Sequence, residues 1–402
     1  MTRLAKVAII GAGPYGLSIA AHLTALGIDF RIFGGAMRTW IQAMPAGMLL
    51  KSDGFASNLD DPQGAFTLQA FCTEQGLPYQ PTGLPVPVEV FAAYGQAFQQ
   101  RFAPSLEDKL VTAVTPLDRG FELSFEDGST LRADQVVVAS GIREFGHVPA
   151  ELAALPEAVA SHSSCYGDLS PLTGRDVVVV GAGASAIDIA ALLLGRAKSV
   201  TVVTRAPAIR FHGPPRKRTL ADRLLRPSTG LGPGWKSYLS VRLPQVFHAM
   251  PEAFRLDVVR RHLGPAPGWF MREQVEGRLP VLTRSRIVQA DIEAGGARLV
   301  LAHDDGSTRA LHADHIIAAT GYRVDLKRLG FLGPDLLKRI RRTGSSPALS
   351  TRFESSVPGL YFVGASGADS FGPLLRFAFG AGYTARRITP RLQRQADRRL
   401  KA

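Results

Sequence analysis

Residues 6–16 read KVAIIGAGPYG: a short apolar run, residues 7–10, leads straight into Gly11-x-Gly13-x-x-Gly16. Helix-compatible sequence follows as far as Leu26, and Gly27 stands where a C-terminal cap falls. A buried strand that turns sharply into a helix leaves the first backbone N–H groups of the helix free, and these attract a pyrophosphate. The first glycine permits the turn, the second lets the ligand approach the backbone, and the third lets helix and strand pack closely. One such loop is a weak signal, but the chain carries a second. Residues 176–191, DVVVVGAGASAIDIAA, repeat strand, loop and helix as Gly181-x-Gly183-x-Ser185-Ala186. Alanine at the third position is still small enough for the helix–strand contact. Two loops in matching context point to two dinucleotide sites on two parallel sheets.

The strand after each loop ends differently. Residues 29–33 (DFRIF) run into Phe33-Gly34-Gly35-Ala36, with none of the acids that normally accept from ribose hydroxyls. Either backbone carbonyls or a residue from elsewhere takes that role, or the loop follows another path. Residues 199–204 end in Arg205, whose guanidinium suits a 2′-phosphate where a carboxylate would repel it. The second nucleotide therefore reads as NADP, with NADH possible as an alternative donor. Residues 134–141 (DQVVVASG) and 314–321 (DHIIAATG) form an internal repeat, an apolar strand closed by a small-residue turn.

Between these units, residues 36–62 are irregular and rich in apolar side chains, as a loop packed over the sheet or covering a flat ring would be. Residues 66–74 and 90–102 have helical periodicity. Residues 109–139 read as short strands with a hairpin turn at Asp127-Gly128. Residues 206–285, with many prolines and Trp235, Trp269 and Phe270, exceed what a dinucleotide domain needs and read as an inserted subdomain or lid. Residues 359–366 (GLYFVGAS) give one more buried strand, and residues 373–386 one more helix.

Composition limits the remaining possibilities. The 402 residues are 46% hydrophobic and 20% charged, a globular balance able to bury a large core. No apolar run approaches the ~18 residues of a membrane span, and cleavage of the N-terminal apolar segment as a signal would destroy the first loop. The two cysteines, Cys72 and Cys165, form neither a C-x-x-C pair nor a zinc spacing. A cytoplasmic protein without a metal site is expected. The formal charge of +13 comes from scattered arginines without interleaved aromatics. It reads as solvated surface and attraction for anionic cofactors and substrates, not as a nucleic-acid or membrane interface.

Together these features resemble the two-dinucleotide-domain flavoproteins, and among them the flavin-containing (class B) monooxygenases. The resemblance implies an α/β fold of two Rossmann-like dinucleotide-binding domains, FAD/NAD(P)-binding and glutathione-reductase-like, with three-layer ββα/βαβ packing. The FAD domain would take residues 1–150 plus 326–402, and the NAD(P) domain residues 151–325 with the insertion at 206–285. Gly11, Gly13, Pro14 and Gly16 match the FAD loop, with Trp40, Val111, Gly364 and Asp369 also at FAD-contacting positions. Gly181, Gly183 and Ser185 match the NADP loop, joined by Arg205. Ala319-Thr320-Gly321-Tyr322 matches the family's linker, and Ser57-Asn58 its Thr-Asn pair, where the asparagine serves as the catalytic residue beside the flavin. His162-x-x-x-Tyr166 matches the second half of the family signature, whereas Ala158 and Ala160 replace the Phe and Gly of its first half. Tyr166 is followed by Gly167, unlike the Baeyer–Villiger branch. The implied activity is NADPH-dependent reduction of FAD, addition of O₂ at flavin C4a, and transfer of one oxygen atom to a small organic substrate. N- or S-oxygenation and hydroxylation of an N-heterocycle are both in range. A quinone- or ferredoxin-type flavin reductase and a non-catalytic redox sensor stand as alternatives, and a homodimer stands open.

Overall fold

The computed structural model describes residues 3–216, 218–264, 266–293 and 295–400. The outermost positions of the expected domain ranges, 1, 2, 401 and 402, lie outside these. Strand β1 (Arg3–Ile10) turns into helix α1 (Pro14–Ala25), and the chain returns as β2 (Phe30–Phe33), parallel to β1. Val7, Ala8 and Ile9 are fully buried, as a strand covered on both faces requires. Gly27, at φ +63°, donates its N–H to Thr24 O at 3.0 Å and ends the helix.

The expected pair of strands around residue 130 is one nine-residue strand, β3 (Thr130–Val138). Its first half pairs antiparallel with Phe121–Phe125, itself paired with Val111–Pro116. On that same edge its second half runs parallel to Leu360–Phe362, while β1 runs parallel to it along Leu131–Val138 on the other edge. The change of partner at mid-strand explains the apparent break: alternate residues are exposed where the strand faces the hairpin, whereas 135–138 sit in the sheet interior. Expected helices 66–74 and 90–102 are Leu68–Glu74, capped by the Thr67 hydroxyl, and Val88–Phe102.

The second sheet repeats the plan. Strand β4 (Asp176–Val180), helix α2 (Ala184–Leu193), strand β5 (Ser199–Val203) and strand β6 (His315–Ala318) form a parallel sheet completed by Ala160–His162 and Val281–Leu282. An antiparallel meander, Ser285–Glu293, Gly296–His303 and Thr308–Ala313, precedes β6. Within 206–285, the edge strand Val281–Leu282 belongs to this sheet, and the preceding part holds short helices that include Trp235–Arg242, Pro244–Ala249 and Glu252–Arg261. These lean on the chain's C-terminal segment: Arg255 Nη1 donates to Asp369 O at 2.9 Å, and the Phe247 ring packs on Gly372.

The single helix expected at 373–386 is instead a 3₁₀ turn, Pro373–Arg376, then a break, then the long helix α3 (Gly380–Leu400). The Tyr15 hydroxyl lies 3.0 Å from Leu375 O and 2.7 Å from Phe377 O, taking up carbonyls that a continuous helix would have used. Helix α3 then packs along α1.

The loops owe their shape to backbone contact. A Cβ on Gly16 would fall 1.9 Å from Gly11 O, and one on Gly11, at φ +111°, 2.3 Å from Ala139 O. Because both obstacles are backbone, Gly16→Ala should cost about 3 kcal/mol or more. The thermal melt of this variant checks it: an unchanged midpoint would mean that the loop can relax.

Candidate active site

Both loops present an open cradle. Gly13 is the N-cap of helix α1 and Gly183 that of α2, and neither helix has a side chain capping its first N–H groups. Nothing stands within 4 Å of the position a Cβ would take on Gly13. Pro14 occupies the first turn of α1, where its missing N–H costs nothing. Free donors at the positive ends of two helices, reached across bare glycine, fit two pyrophosphate-bearing cofactors.

Beyond the first loop, the missing acid has a structural counterpart. Glu107 pairs with the end of β2, its N–H donating to Ile32 O and its carbonyl accepting from Gly34 N at 3.0 Å each. Its carboxylate is forked by Arg31 at 2.6 and 2.5 Å, and next to it Asp108 pairs with Arg38. Two carboxylates from the 103–110 stretch thus stand where residues 34–36 have none. Beyond the second loop, Arg205 is exposed at the end of β5. Burial lowers the pKa of His147, and Arg323, Arg328 and Arg205 push it down further, so Arg205 stands in a positive field.

The remaining FAD-side candidates lie in different surroundings. Trp40 is half-buried on the short helix Arg38–Gln42, edge-on to Phe91 at 4.7 Å. Val111 is buried at the head of its strand. Gly364, at φ +68°, lies against the Tyr15 ring. Asp369 accepts from Ser346 Oγ at 2.6 Å; burial raises its pKa against the pull of Ser346, Arg255, Arg260 and Arg376. Arg255 Nε, on the same cluster, is buried without a hydrogen-bond partner among the described residues. Asn58 is engaged at both ends, its Oδ1 accepting from Leu68 N at 2.8 Å and its Nδ2 donating to Phe55 O at 3.1 Å. One Nδ2 proton remains for a ligand.

At the seam between the domains, His162 Nδ1 accepts from Ser164 N at 3.1 Å, so Nε2 carries the proton and donates to Gly321 O at 3.0 Å. Burial lowers its pKa and keeps the ring neutral. Its edge meets Tyr322, whose phenol burial pushes up to about 12. Tyr322, Ser163, Ser185 and Asp188 close a small cavity against Met44 and Met48 of the first domain. Asp188, 6% exposed on α2, makes no side-chain hydrogen bond among the described residues. Burial pushes its carboxyl up to about 7, and Lys51 across the seam pulls it down. The Lys51 ammonium is itself lowered by burial and by Arg376. The sequence reading passed over Asp188 and Lys51. The visible signal was an acid inside the apolar run AIDIAALL, on a helix otherwise reserved for packing.

A larger cavity of about 690 Å³ opens beside Asn58, between Phe55, the first turns of α3 and the inserted stretch around Thr229 and Arg242. Among the described residues no His, Cys, Asp or Glu cluster could hold a metal ion, and no helix is long and apolar enough to cross a membrane. Cys72 is buried and Cys165 exposed, both as free thiols.

A sequence model of the pyridine nucleotide-disulphide oxidoreductases matches residues 8–225. Ferredoxin–NADP reductase of Acidiphilium cryptum is 36% identical over 110 residues, 27% of this chain and 32% of that protein. The chain thus spans about a third of that relative's length. Indole-3-pyruvate monooxygenase YUCCA1 of Oryza sativa subsp. japonica is 27% identical over 345 residues, 78% of this chain and 76% of that one. The ornithine N-hydroxylase KtzI of Kutzneria sp. 744, solved with reduced FAD, NADP⁺ and L-ornithine, superposes with a TM-score of 0.75 at 18% identity, covering 98% and 99% of the two chains. That likeness establishes the shared two-domain fold.

The raised pKa of Asp188 predicts a pH effect of definite sign. Between about 4 and 7 the unfolded chain has released this proton while the folded chain holds it, so the group's contribution to stability falls as pH rises through that window. Asp188→Asn should gain on the wild type by about 2–3 kcal/mol from pH 5 to pH 7. Paired thermal melts across that range measure it, and a gap that stays constant with pH would refute the assignment.

Proposed function

The chain belongs to the pyridine nucleotide-disulphide oxidoreductase family, and from this premise we propose that it is a FAD-dependent, NADPH-consuming monooxygenase. The overall reaction takes NADPH, H⁺, O₂ and a small organic substrate to NADP⁺, water and the singly oxygenated product. The observation that carries this reading is the cavity of about 690 Å³ beside Asn58, a chamber for a small molecule in a two-cofactor fold. Disulfide chemistry has no support, because two free cysteines, one buried and one exposed, supply no redox pair.

In this reading Gly11, Gly13, Pro14 and Gly16 hold the FAD pyrophosphate, with Trp40, Val111, Gly364 and Asp369 along its length. Glu107 or Asp108 stands in for the absent ribose acid. Gly181, Gly183 and Ser185 hold the NADPH pyrophosphate, Arg205 its 2′-phosphate, and His162 and Tyr322 line the approach to the seam. When bound, the flavin accepts hydride from the nicotinamide and activates O₂. The chain's own part is to orient both cofactors and keep water out. Met44, Met48 and Tyr322 supply apolar cover at the seam. Asp188, near neutrality in its titration, can hold a proton there while Lys51 balances its charge. Asn58 has one amide proton to offer the reacting oxygen.

The match to ferredoxin–NADP reductase favours a second reading, hydride transfer to an external electron acceptor without oxygen insertion. Substrate-stimulated NADPH oxidation with mass analysis of the product separates the two. One added oxygen atom supports the monooxygenase; acceptor reduction with an unchanged substrate mass supports the reductase. NADPH consumption that no substrate or acceptor stimulates would leave a redox sensor. For the nucleotide site, Arg205→Ala should raise KM for NADPH roughly 10- to 100-fold while leaving that for NADH nearly unchanged, as loss of one charge-assisted contact requires. Equal effects on both would place the 2′-phosphate elsewhere.

A further inference from the structure

The cavity beside Asn58 has an uneven charge inventory. Three guanidinium groups, of Arg242, Arg386 and Arg387, line it, against the single carboxylate of Asp60. Asp60 is fully engaged: one oxygen takes Arg386 at 2.6 Å, the other His22 Nε2 at 2.9 Å. Among the described residues Arg387 is held by two neutral acceptors, Thr351 O at 3.2 Å and Gln245 Oε1 at 3.4 Å. Gln245 in turn is fixed by the Tyr383 hydroxyl, so the guanidinium is oriented without being neutralised. Arg242 lies over the Tyr238 ring at 5.6 Å. Among the described residues neither Arg242 nor Arg387 forms an ion pair. Phe55, Val241, Leu374 and Phe379 give the wall an apolar part, beside the polar Asn58, Ser228, Thr229 and Tyr383.

From this arrangement we infer that the cavity binds a small organic anion, a carboxylate carried on a flat body of one or two rings. Two oriented guanidiniums match a carboxylate by paired N–H donors, and the aromatic and aliphatic wall buries the ring. A volume of about 690 Å³ exceeds the needs of a short aliphatic side chain and accommodates a bicyclic one. The same two charges repel a diamine. The inference rests on the monooxygenase reading only in calling the anion a substrate.

Calorimetric titration of the FAD-loaded enzyme, without NADPH, tests binding apart from turnover. The matched probes are 1-naphthylacetate, its neutral amide 1-naphthylacetamide, and cadaverine. The acid should bind at least 10-fold more tightly than the amide, and cadaverine should not bind. Arg387→Gln should weaken the acid roughly 10- to 100-fold and leave the amide unchanged, with Arg387→Lys recovering part of the loss. Arg242→Gln, at an exposed position, gives the same reading where the half-buried Arg387 variant folds poorly. Equal binding of acid and amide, preference for cadaverine, or loss of bound FAD in the folded Arg387→Gln protein would each overturn the proposal. The product test of the monooxygenase reading is unaffected by any of these results.

Discussion

The contact on which both halves of the molecule depend is that of a glycine α-carbon against a carbonyl oxygen. Gly11 sits so close to Ala139 that a Cβ would lie 2.3 Å from its oxygen, and Gly181 stands in the same relation to Ala319 at 2.4 Å. Each contact joins the turn after one strand to the end of the strand beside it. The N–H of each glycine is anchored on the other side, to Phe33 O and Val203 O at 2.8 and 2.9 Å. A dinucleotide loop is thus clamped between two neighbouring strands, and its helix can point only one way. The chain leaves the clamp through Gly141 and Gly321, both at positive φ, and those exits become the interdomain linkers. Through the second exit the constraint reaches the seam, since Tyr322 follows Gly321 and His162 holds the carbonyl of Gly321.

The seam shows why the charges at a two-domain boundary are finely balanced. An isolated buried carboxylate is costly, and Asp188 avoids that cost partly by holding its proton and partly by facing Lys51. Lys51 lies on the other domain, beside Arg376, so neither partner reaches its ordinary pKa. Neutral His162 adds no charge to this site. Any ligand that enters between the domains shifts the balance through desolvation, which links cofactor binding to the protonation of one side chain.

How much of this was legible in the chain depended on how local each signal was. The two strand–loop–helix units are contiguous in sequence, and every contact that shapes them lies within the unit or at its repeated partner strand, so periodicity and glycine spacing were sufficient. The continuity of Thr130–Val138 was hidden because a strand that changes partners changes its burial pattern midway. The break before Gly380 was hidden because its cause, the Tyr15 hydroxyl, lies 360 residues away in sequence. The Glu107 carboxylate beside β2 was invisible for the same reason: an acid expected immediately after the strand arrives instead from a neighbouring connection. Asn58 was readable as a motif, but its bonds to Phe55 and Leu68 follow from the turn that contains it.

Composition alone suggested that the positive charge was spread over solvated surface, and the three-dimensional arrangement refines that view. Arg205, Arg323 and Arg328 gather around His147, whose backbone N–H donates to Gly321 O at 2.9 Å. Arg255, Arg260 and Arg376 gather around Asp369. Arg242, Arg386 and Arg387 line the cavity beside Asn58. Exposed charges further apart than about 8–10 Å are largely screened at ordinary ionic strength, so each group acts on its own surroundings and not as one field. Like charges held together resist folding unless something offsets them. Asp369 offsets the second group and Asp60 part of the third, whereas the first stands where the 2′-phosphate is proposed to lie. The excess of arginine is therefore local: Asp369 and Asp60 offset part of it, and the rest lies around His147 and along the wall of the cavity beside Asn58.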